Sequence, residues 1–176
     1  PGVADASQIS YTYPDSYAVE QNVEERLAQY VSVKDFGAVG DGVTDDTTAL
    51  QNAIDAAIAD KLDLYINGGT YKTTASLTVS DTTIKIVGAG RYETFIDYLG
   101  SDSAIICSLW GGVIDNLGVY TTDQAASGIE AGNTSRNCAI SNVYVQVRGG
   151  YSASNTGAGI LLDAQTGFSG GIEIRT

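Results

Sequence analysis

The sequence contains no histidine and no methionine, and only two prolines, two cysteines and one tryptophan among its 176 residues. The absence of histidine excludes Ser-His-Asp and Cys-His nucleophilic chemistry. Cys107 and Cys138 lie far apart and belong to no Cys/His set, so a zinc site is excluded as well. We interpret the two thiols as buried free cysteines, with a disulfide as the alternative.

Positive charge and long apolar runs are also scarce. Nine Lys and Arg stand against 21 Asp and Glu, which gives a formal net charge of −12. Because the basic residues are scattered, the surface repels phosphate and nucleic-acid binding is not expected. The longest apolar run, 104–110, is far shorter than the roughly 20 residues that a membrane-spanning helix needs. Residues 1–10 show no signal-peptide pattern, and we expect no membrane insertion.

Glycine and tyrosine are abundant, with 21 and 11 residues. Together with the many Thr, Val and Ile residues, this composition is typical of short strands joined by tight turns. The hydrophobic period becomes two where Leu62, Leu64 and Ile66 alternate with polar residues. Further short strand patterns follow at 70–73, 76–79 and 83–90. The composition and these patterns predict an all-β fold.

An internal repeat begins near residue 84. The segment 113–120 recurs at 139–146, a shift of 26 residues, and 127–132 recurs at 158–163, a shift of 31. Residues 170–176 look like the start of another such turn. The equivalent residues of the first pair are Ile114 and Ile140, Asn116 and Asn142, and Val119 and Val145. Strand-rich repeats of this length predict the stacked coils of a parallel β-helix. We expect the recurring asparagine to bond backbone groups at a tight corner.

A helix is predicted over residues 16–30, with Asp15 or Ser16 as its cap. Its apolar residues recur at steps of four, four and three, which places them on one face. They are Val19, Val23, Leu27 and Tyr30. A helix this short is marginal alone, so its apolar face must pack either on its own domain or on other chains, as in a short parallel bundle.

The aspartate-rich segment 35–48 could hold a metal, act in catalysis or support the fold. Thr44 is predicted to cap a second helix, with Asp45 and Asp46 in its first turn, where acids complement the macrodipole. Asp41 lies between two glycines in a tight turn. The spacing lacks the alternating oxygens and the later Glu of a calcium loop. We therefore interpret Asp41, Thr44, Asp45 and Asp46 as structural residues. We expect no metal and no cofactor.

Three segments carry a resemblance to a known family. VSVKDFGAVGDGVTDDTTALQNAIDAA (31–57), LYINGGTYKTTASLTV (64–79) and TIKIVGAGR (83–91) together resemble the N-terminal portion of the pectate-lyase-like β-helix superfamily. In form they are most similar to bacteriophage tailspikes and related polysaccharide depolymerases. The resemblance implies a right-handed parallel β-helix whose open end is covered by the aspartate-rich segment and its helix. At Asn67-Gly68 the chain departs from the family, because the usual proline-containing turn is missing.

The resemblance also implies a division of the chain. Residues 1–15 correspond to an irregular linker or anchor remnant, 16–30 to a neck helix, and 31–176 to the start of a β-helix domain that we expect to be truncated at its C-terminal end. Such spikes are homotrimers, which favours contacts between chains through the neck helix. Other virion tail or baseplate proteins are expected to bind the N-terminal region.

Catalysis in this stretch would have to use carboxylates. The candidates are Glu130, Asp163 and Glu173, which lie on or beside strand patterns of successive coils. Stacked strands are about 4.8 Å apart, so carboxylates on adjacent coils can reach the separations that glycoside hydrolysis requires. Ordinary solvent-facing strand positions are the favoured explanation of the same residues. Trp110 and the tyrosines could provide flat apolar faces for sugars.

The function that the resemblance implies is that of a phage tailspike. It would attach to a bacterial capsule, exopolysaccharide or lipopolysaccharide and depolymerise it, in the virion tail after assembly in the host cytoplasm. One alternative is a non-enzymatic adapter or anchor subunit of the virion. Another is a free bacterial pectate-lyase-like enzyme or glycoside hydrolase, which the neck helix and the missing signal peptide disfavour.

Overall fold

The computed structural model describes residues 5–12, 14, 17–109, 111–122, 127–132, 139–147, 160–162 and 173–175. The chain divides into two compact units, Pro1–Tyr30 and Val31–Thr176. In these described ranges no helix is both long enough and apolar enough to cross a bilayer.

The N-terminal unit contains two short strands and one short helix, namely β1 (Ser10–Tyr11), β2 (Gln21–Asn22) and α1 (Val23–Leu27), after a 3-10 turn at Ala6–Gln8. The two strands pair antiparallel. The Asn22 side chain accepts a hydrogen bond from the Glu25 N–H at 2.7 Å, and the Glu25 carboxylate accepts one from the Asn22 N–H at 3.4 Å. This reciprocal capping box fixes the start of α1.

The helix predicted over residues 16–30 is therefore too long at both ends. Val19 precedes α1, Val23 is its first residue, and Tyr30 follows its end at Leu27. The apolar spacing alone did not show that Gln21 and its neighbour form a strand that pairs with β1. That pairing and the cap at residue 22 stop the helix from extending toward the N-terminus.

The second unit is a right-handed parallel β-helix. Its first elements are β3 (Val31–Ser32), β4 (Asp41–Asp45), α2 (Thr47–Asp60), β5 (Leu64–Ile66), β6 (Gly69–Thr73), β7 (Leu77–Thr82), β8 (Lys85–Gly88), β9 (Thr94–Tyr98) and β10 (Ile105–Leu109). They are followed by β11 (Val113–Asp115), β12 (Gly118–Thr121), β13 (Ile129–Ala131), β14 (Ala139–Ser141), β15 (Tyr144–Val147), β16 (Ile160–Leu162) and β17 (Glu173–Arg175).

Three parallel sheets run along the β-helix, because each coil from β5 onward contributes one strand to each sheet in turn. The first sheet has the order β17-β14-β11-β8-β5-β3, the second β15-β12-β9-β6-β4 and the third β16-β13-β10-β7. The predicted fold class is thereby confirmed.

The strand register confirms the internal repeat. Ile114 pairs with Ile140 in the first sheet, and Ile129 pairs with Ile160 in the third. Inward-facing residues form continuous apolar rows, and Leu64, Ile86 and Ile114 are each at most 3% exposed. Burial of one such side chain contributes about 1.5–3 kcal/mol, so stacking of the coils supplies the core that no coil has alone.

The recurring asparagines lie at the corner between the first and second sheets. Asn116 and Asn142 have positive φ angles of 56° and 48°, a left-handed conformation that asparagine tolerates better than most residues. Their amide nitrogens donate to the carboxylate of Asp115, at 3.4 and 3.1 Å. The asparagines therefore serve the corner through their backbone conformation, and these two side-chain bonds reach a carboxylate instead of the expected backbone groups.

Helix α2 covers the N-terminal end of the β-helix. Its apolar face is buried through Leu50, Ala53, Ile54 and Ala57. Next to it, the side-chain amide of Gln51 accepts a hydrogen bond from the N–H of Thr78 at 2.9 Å and donates one to the C=O of Thr78 at 3.0 Å. The amide thus binds β7, the edge strand of the third sheet, as a neighbouring strand would, and it satisfies backbone groups that an open edge would expose.

Candidate functional site

The aspartates of residues 35–48 bind the chain's own polar groups. Asp46 is 1% exposed, and its carboxylate accepts hydrogen bonds from the N–H groups of Val39 and Gly40 at 2.6 and 2.9 Å. It also holds the N-cap position of α2. The prediction that Thr44 caps the helix is wrong, because Thr44 lies in β4 and the helix begins at Thr47.

Asp41 organises the turn that leads into the helix. Its carboxylate accepts hydrogen bonds from the Thr44 N–H at 2.7 Å, the Val43 N–H at 2.8 Å and the Thr44 hydroxyl at 2.9 Å. These donors, the Thr44 N–H first, hold the pKa of Asp41 below its ordinary value because they stabilise the charged form. A turn with this many bonds to one carboxylate is a structural element.

Asp45 joins the start of α2 to the next coil. It accepts hydrogen bonds from the hydroxyl and the N–H of Thr47, at 2.5 and 3.0 Å, and from the hydroxyl of Thr74 at 2.7 Å. The Thr47 hydroxyl contributes most to the lowered pKa of Asp45, followed by the Thr74 hydroxyl. Among the described residues, no three His, Cys, Asp or Glu side chains lie together as a possible set of metal ligands.

The third sheet presents Glu130 on its outer face. The two neighbours of Glu130 in β13 are buried whereas Glu130 is half-buried, as the strand pleat requires. It lies in register between Ile106 of β10 and Leu161 of β16. Its Oε2 accepts a hydrogen bond from the hydroxyl of the buried Ser103 at 2.6 Å. A residue of the preceding coil thus fixes the carboxylate on this face.

The structure does not stack Glu130 with Glu173. Glu173 begins β17, which belongs to the first sheet, where it pairs with Ala139 of β14. Both glutamates lie on strands, as predicted, but in two different sheets, so the separation expected for stacked carboxylates on adjacent coils does not apply to this pair. Asp163 lies outside the described residues.

One carboxylate limits the chemistry that this face can perform. Glycosidic hydrolysis requires two carboxyl groups on opposite sides of the scissile bond. The other outer positions of this sheet whose side chains the structure describes are Thr78, Ser80, Ile106 and Ser108. None of them is an acid. The described part of the face can therefore accept hydrogen bonds from ligand hydroxyls, but it does not hold the pair of acids that glycoside hydrolysis needs.

Sequence reasoning missed Ser103 as the partner of Glu130. The two residues are 27 positions apart, and their contact depends on the register of two coils. A signal was present, since Ser103 and Ser127 each stand two residues before a buried isoleucine of the third sheet, and both serines are 6% exposed. The repeat therefore predicts a buried serine before the strand, although not its bond to the glutamate.

Comparisons with known proteins identify similar sequences and similar folds. A sequence profile described as rhamnogalacturonase A/epimerase, pectate lyase-like matches residues 30–173. Mannuronan C5-epimerase AlgE2 of Azotobacter vinelandii is 41% identical over 99 residues, which cover 50% of this chain and 10% of the epimerase. A capsule K30/K69-specific depolymerase of Klebsiella phage K64-1 is 41% identical over 69 residues, 39% of this chain and 9% of the depolymerase. The chain spans about a tenth of the length of these two relatives.

Among solved structures, the Dettilon tailspike protein gp208 is similar with a TM-score of 0.61 and 19% sequence identity. The similarity covers 81% of this chain and 30% of the tailspike. At this identity it shows a shared fold, the parallel β-helix.

Proposed function

Because the chain belongs to the rhamnogalacturonase A/epimerase, pectate lyase-like family, we propose that it forms part of a phage tailspike that binds and depolymerises a bacterial surface polysaccharide. The polysaccharide is a capsule, an exopolysaccharide or a lipopolysaccharide. The protein is located in the virion tail and is assembled in the host cytoplasm. The 41% identity to a phage capsule depolymerase supports this proposal.

The observation that carries the proposal is the apolar surface of the N-terminal unit. Tyr17 is 93% exposed, Val19 79% and Leu27 59%. The unit also exposes Ile9, Tyr11 and Tyr30. Single exposed apolar residues are normal, but so many in one small unit mark a surface that binds another protein. A tailspike needs such a surface for assembly, whereas a monomeric secreted enzyme does not.

We assign this surface to contacts between three copies of the chain and to contacts with other tail or baseplate proteins. Val19 and Leu27 lie on either side of the half-buried Val23, at the start of α1. A cyclic trimer repeats one patch around its axis, so a small apolar surface on each chain is enough to close the assembly.

The proposed polysaccharide contact in this chain lies on the outer face of the third sheet. Glu130 accepts hydrogen bonds from sugar hydroxyls there, and Ser103 keeps its carboxylate in one orientation. In this scheme Glu130 binds and positions the polymer, because a single carboxylate does not complete either glycosidase geometry.

Light scattering of the natural-length protein tests the assembly. We expect a trimer for the wild type and a monomer for the double variant Val19→Asp, Leu27→Asp, since three buried pairs of carboxylates would repel one another. Val43→Asp is the matched control, because Val43 is 74% exposed but lies in the β-helix unit. A monomeric wild type, or a trimer that Val43→Asp breaks equally, contradicts the proposed neck contact.

The release of oligosaccharides from purified capsules and lipopolysaccharides tests the activity. We expect release from at least one of them, with Glu130→Gln lowering the rate by about tenfold and Asp60→Asn leaving it unchanged. A trimer that releases nothing from any of these polymers favours the non-enzymatic adapter function.

A second candidate function is modification of a polyuronate, which the 41% identity to a mannuronan C5-epimerase over half of this chain favours. Proton NMR of polymannuronate after incubation distinguishes the two functions. Epimerisation changes the anomeric signals and leaves the chain length unchanged, whereas depolymerisation creates new chain ends.

A further inference from the structure

Four aromatic rings gather on the outer face of the second sheet. They belong to Tyr92, Phe95, Tyr120 and Tyr144, and we call them the aromatic cluster. Phe95 and Tyr120 stack with centroids 4.6 Å apart and planes 9° from parallel. Tyr120 meets Tyr144 edge-on at 6.4 Å, and Tyr144 lies 5.5 Å from Tyr92. The rings form one continuous surface that crosses three coils.

A glycine makes this arrangement possible. Gly118 of β12 lies in register between Phe95 of β9 and Tyr144 of β15. A Cβ atom at Gly118 would lie only 2.5 Å from Cδ1 of Phe95. The Phe95 ring therefore covers the glycine backbone and reaches Tyr120, two positions further along β12. Any larger residue at position 118 would push the rings apart.

The aromatic cluster does not belong to the core. In β9 the residues on either side of Phe95 are buried, whereas Phe95 itself is half-buried on the outer face. Tyr120 and Tyr144 are half-buried in the same way, and Tyr92 is 63% exposed. Burying aromatic rings is among the larger favourable terms in folding, so half-exposed rings gathered in one place point to a ligand.

Polar groups border the aromatic cluster directly. The guanidinium of Arg91 lies over the ring of Tyr92, 5.0 Å from its centroid. Asp97 and Gln146 pair in register with Tyr120, one on each neighbouring strand. Exposed ring faces with a charged and amide border suit a ligand that has apolar faces and many hydroxyl groups.

We propose that the aromatic cluster and Arg91 form a binding platform for an acidic polysaccharide, on a sheet other than the one that carries Glu130. Sugar rings stack their C–H faces on the aromatic rings, as apolar groups do on aromatic faces generally. The tyrosine hydroxyls and Gln146 bond the sugar hydroxyls, and Arg91 pairs with a carboxylate of the polymer, for which its planar guanidinium is suited. In a chain of net charge −12, such a cation is needed where an acidic polymer binds.

The platform deepens the proposed function and rests on it, because it supplies a second contact for the same polysaccharide. A polymer that is held at one face of the β-helix is present at a high effective concentration at the next. Affinity for long chains therefore depends on the platform, whereas the turnover of oligosaccharides too short to reach both faces does not.

The test measures dissociation constants by calorimetry on the natural-length protein. The probes are polymannuronate, polygalacturonate and the K30 and K69 capsular polysaccharides, each also in a carboxyl-reduced, uncharged form. We expect Tyr92→Ala and Tyr144→Ala each to weaken binding of at least one acidic polymer by about tenfold. Tyr65→Ala is the matched control, since Tyr65 is a half-buried tyrosine on the first sheet and should bind as the wild type does.

Arg91→Gln tests the charge. We expect it to lower the ratio of affinities for the acidic and the carboxyl-reduced polymer about tenfold. Lys85→Gln, which removes one charge from the first sheet, should leave that ratio unchanged. Turnover of a short oligosaccharide should stay unchanged in the two control variants, Tyr65→Ala and Lys85→Gln.

Three results would overturn the platform. One is that no acidic polymer binds the wild type. Another is that Tyr92→Ala and Tyr144→Ala bind like the wild type. The third is that these variants change the oligomeric mass, which would make the aromatic cluster a contact between copies of the chain. Binding that depends on the cluster without any release of oligosaccharides would instead contradict the depolymerase function and leave the platform in place.

Discussion

The two units of the chain differ in how far their apolar side chains are buried. In the β-helix unit, Leu50, Ile96 and Ile114 are fully buried. In the N-terminal unit, Tyr17, Val19 and Leu27 are mostly exposed. The difference does not come from composition, because both units contain large apolar residues.

Repetition explains the difference. Along the described β-helix, neighbouring coils continue each other's apolar rows, and α2 lies against β7, the first strand of the third sheet. Among its described residues, the N-terminal unit has a 3-10 turn, a pair of two-residue strands and a five-residue helix. These described elements leave Tyr17, Val19 and Leu27 largely exposed. The comparison teaches that stacked coils bury their own apolar rows, whereas the N-terminal unit leaves large apolar side chains at its surface.

Leu50→Ala should show the contrast between the two units most strongly, as a loss of stability. Leu50 is fully buried under the end of the β-helix, and we expect a loss of about 3 kcal/mol in the free energy of unfolding. Leu27→Ala removes the same atoms from a 59% exposed site and should cost the monomeric protein less than about 0.5 kcal/mol. Chemical denaturation of both variants under conditions that keep the chains apart measures the contrast, and equal losses would refute it.

Asp46→Ala should give an effect of comparable size. The variant leaves the N–H groups of Val39 and Gly40 without their acceptor, each at a cost of about 1–3 kcal/mol. Asp60→Ala, at the exposed last residue of α2, should change the unfolding free energy little. Thermal unfolding of the two variants checks this, and a stable Asp46→Ala protein would show that water replaces the carboxylate.

Gln51→Ala should cost about 1 kcal/mol, because it removes two hydrogen bonds from the edge strand of the third sheet. Hydrogen exchange gives a sharper readout, since the Thr78 N–H should exchange faster while the amides of inner strands keep their protection. Gln29→Ala, in the N-terminal unit, is the control. Unchanged exchange at Thr78 would mean that α2 shields this edge by coverage alone.

Acid should slightly destabilise the N-terminal end of the β-helix, where Asp41 and Asp45 lie. The pKa values of Asp41 and Asp45 are lowered in the folded chain, so their contribution is present above their unfolded pKa of about 3.9 and is lost as the pH falls below it. Melting temperatures between pH 6 and pH 3 should therefore fall less steeply for the Asp41→Asn, Asp45→Asn variant than for the wild type. Parallel curves would mean that other carboxylates govern acid unfolding.

The sequence by itself determined the fold and its coil-to-coil register. The repeated positions of Ile114 and Ile140, and of Ile129 and Ile160, are paired as predicted, because alternating apolar residues can be buried in only one register. It also predicted that an aspartate-rich turn and a helix precede the first complete coil. These are local or periodic features, which the chain carries in its spacing.

The tertiary structure decided which side chains meet. The short α1, the cap at Asp46 in place of Thr44, and the placement of Glu173 in the first sheet all depend on pairings that the spacing does not contain. The same holds for the Ser103–Glu130 bond and for the gathering of the aromatic cluster over Gly118. Coil lengths vary along this chain. The length of each turn therefore decides which residues of adjacent coils lie in register, and the sequence spacing alone does not give those lengths.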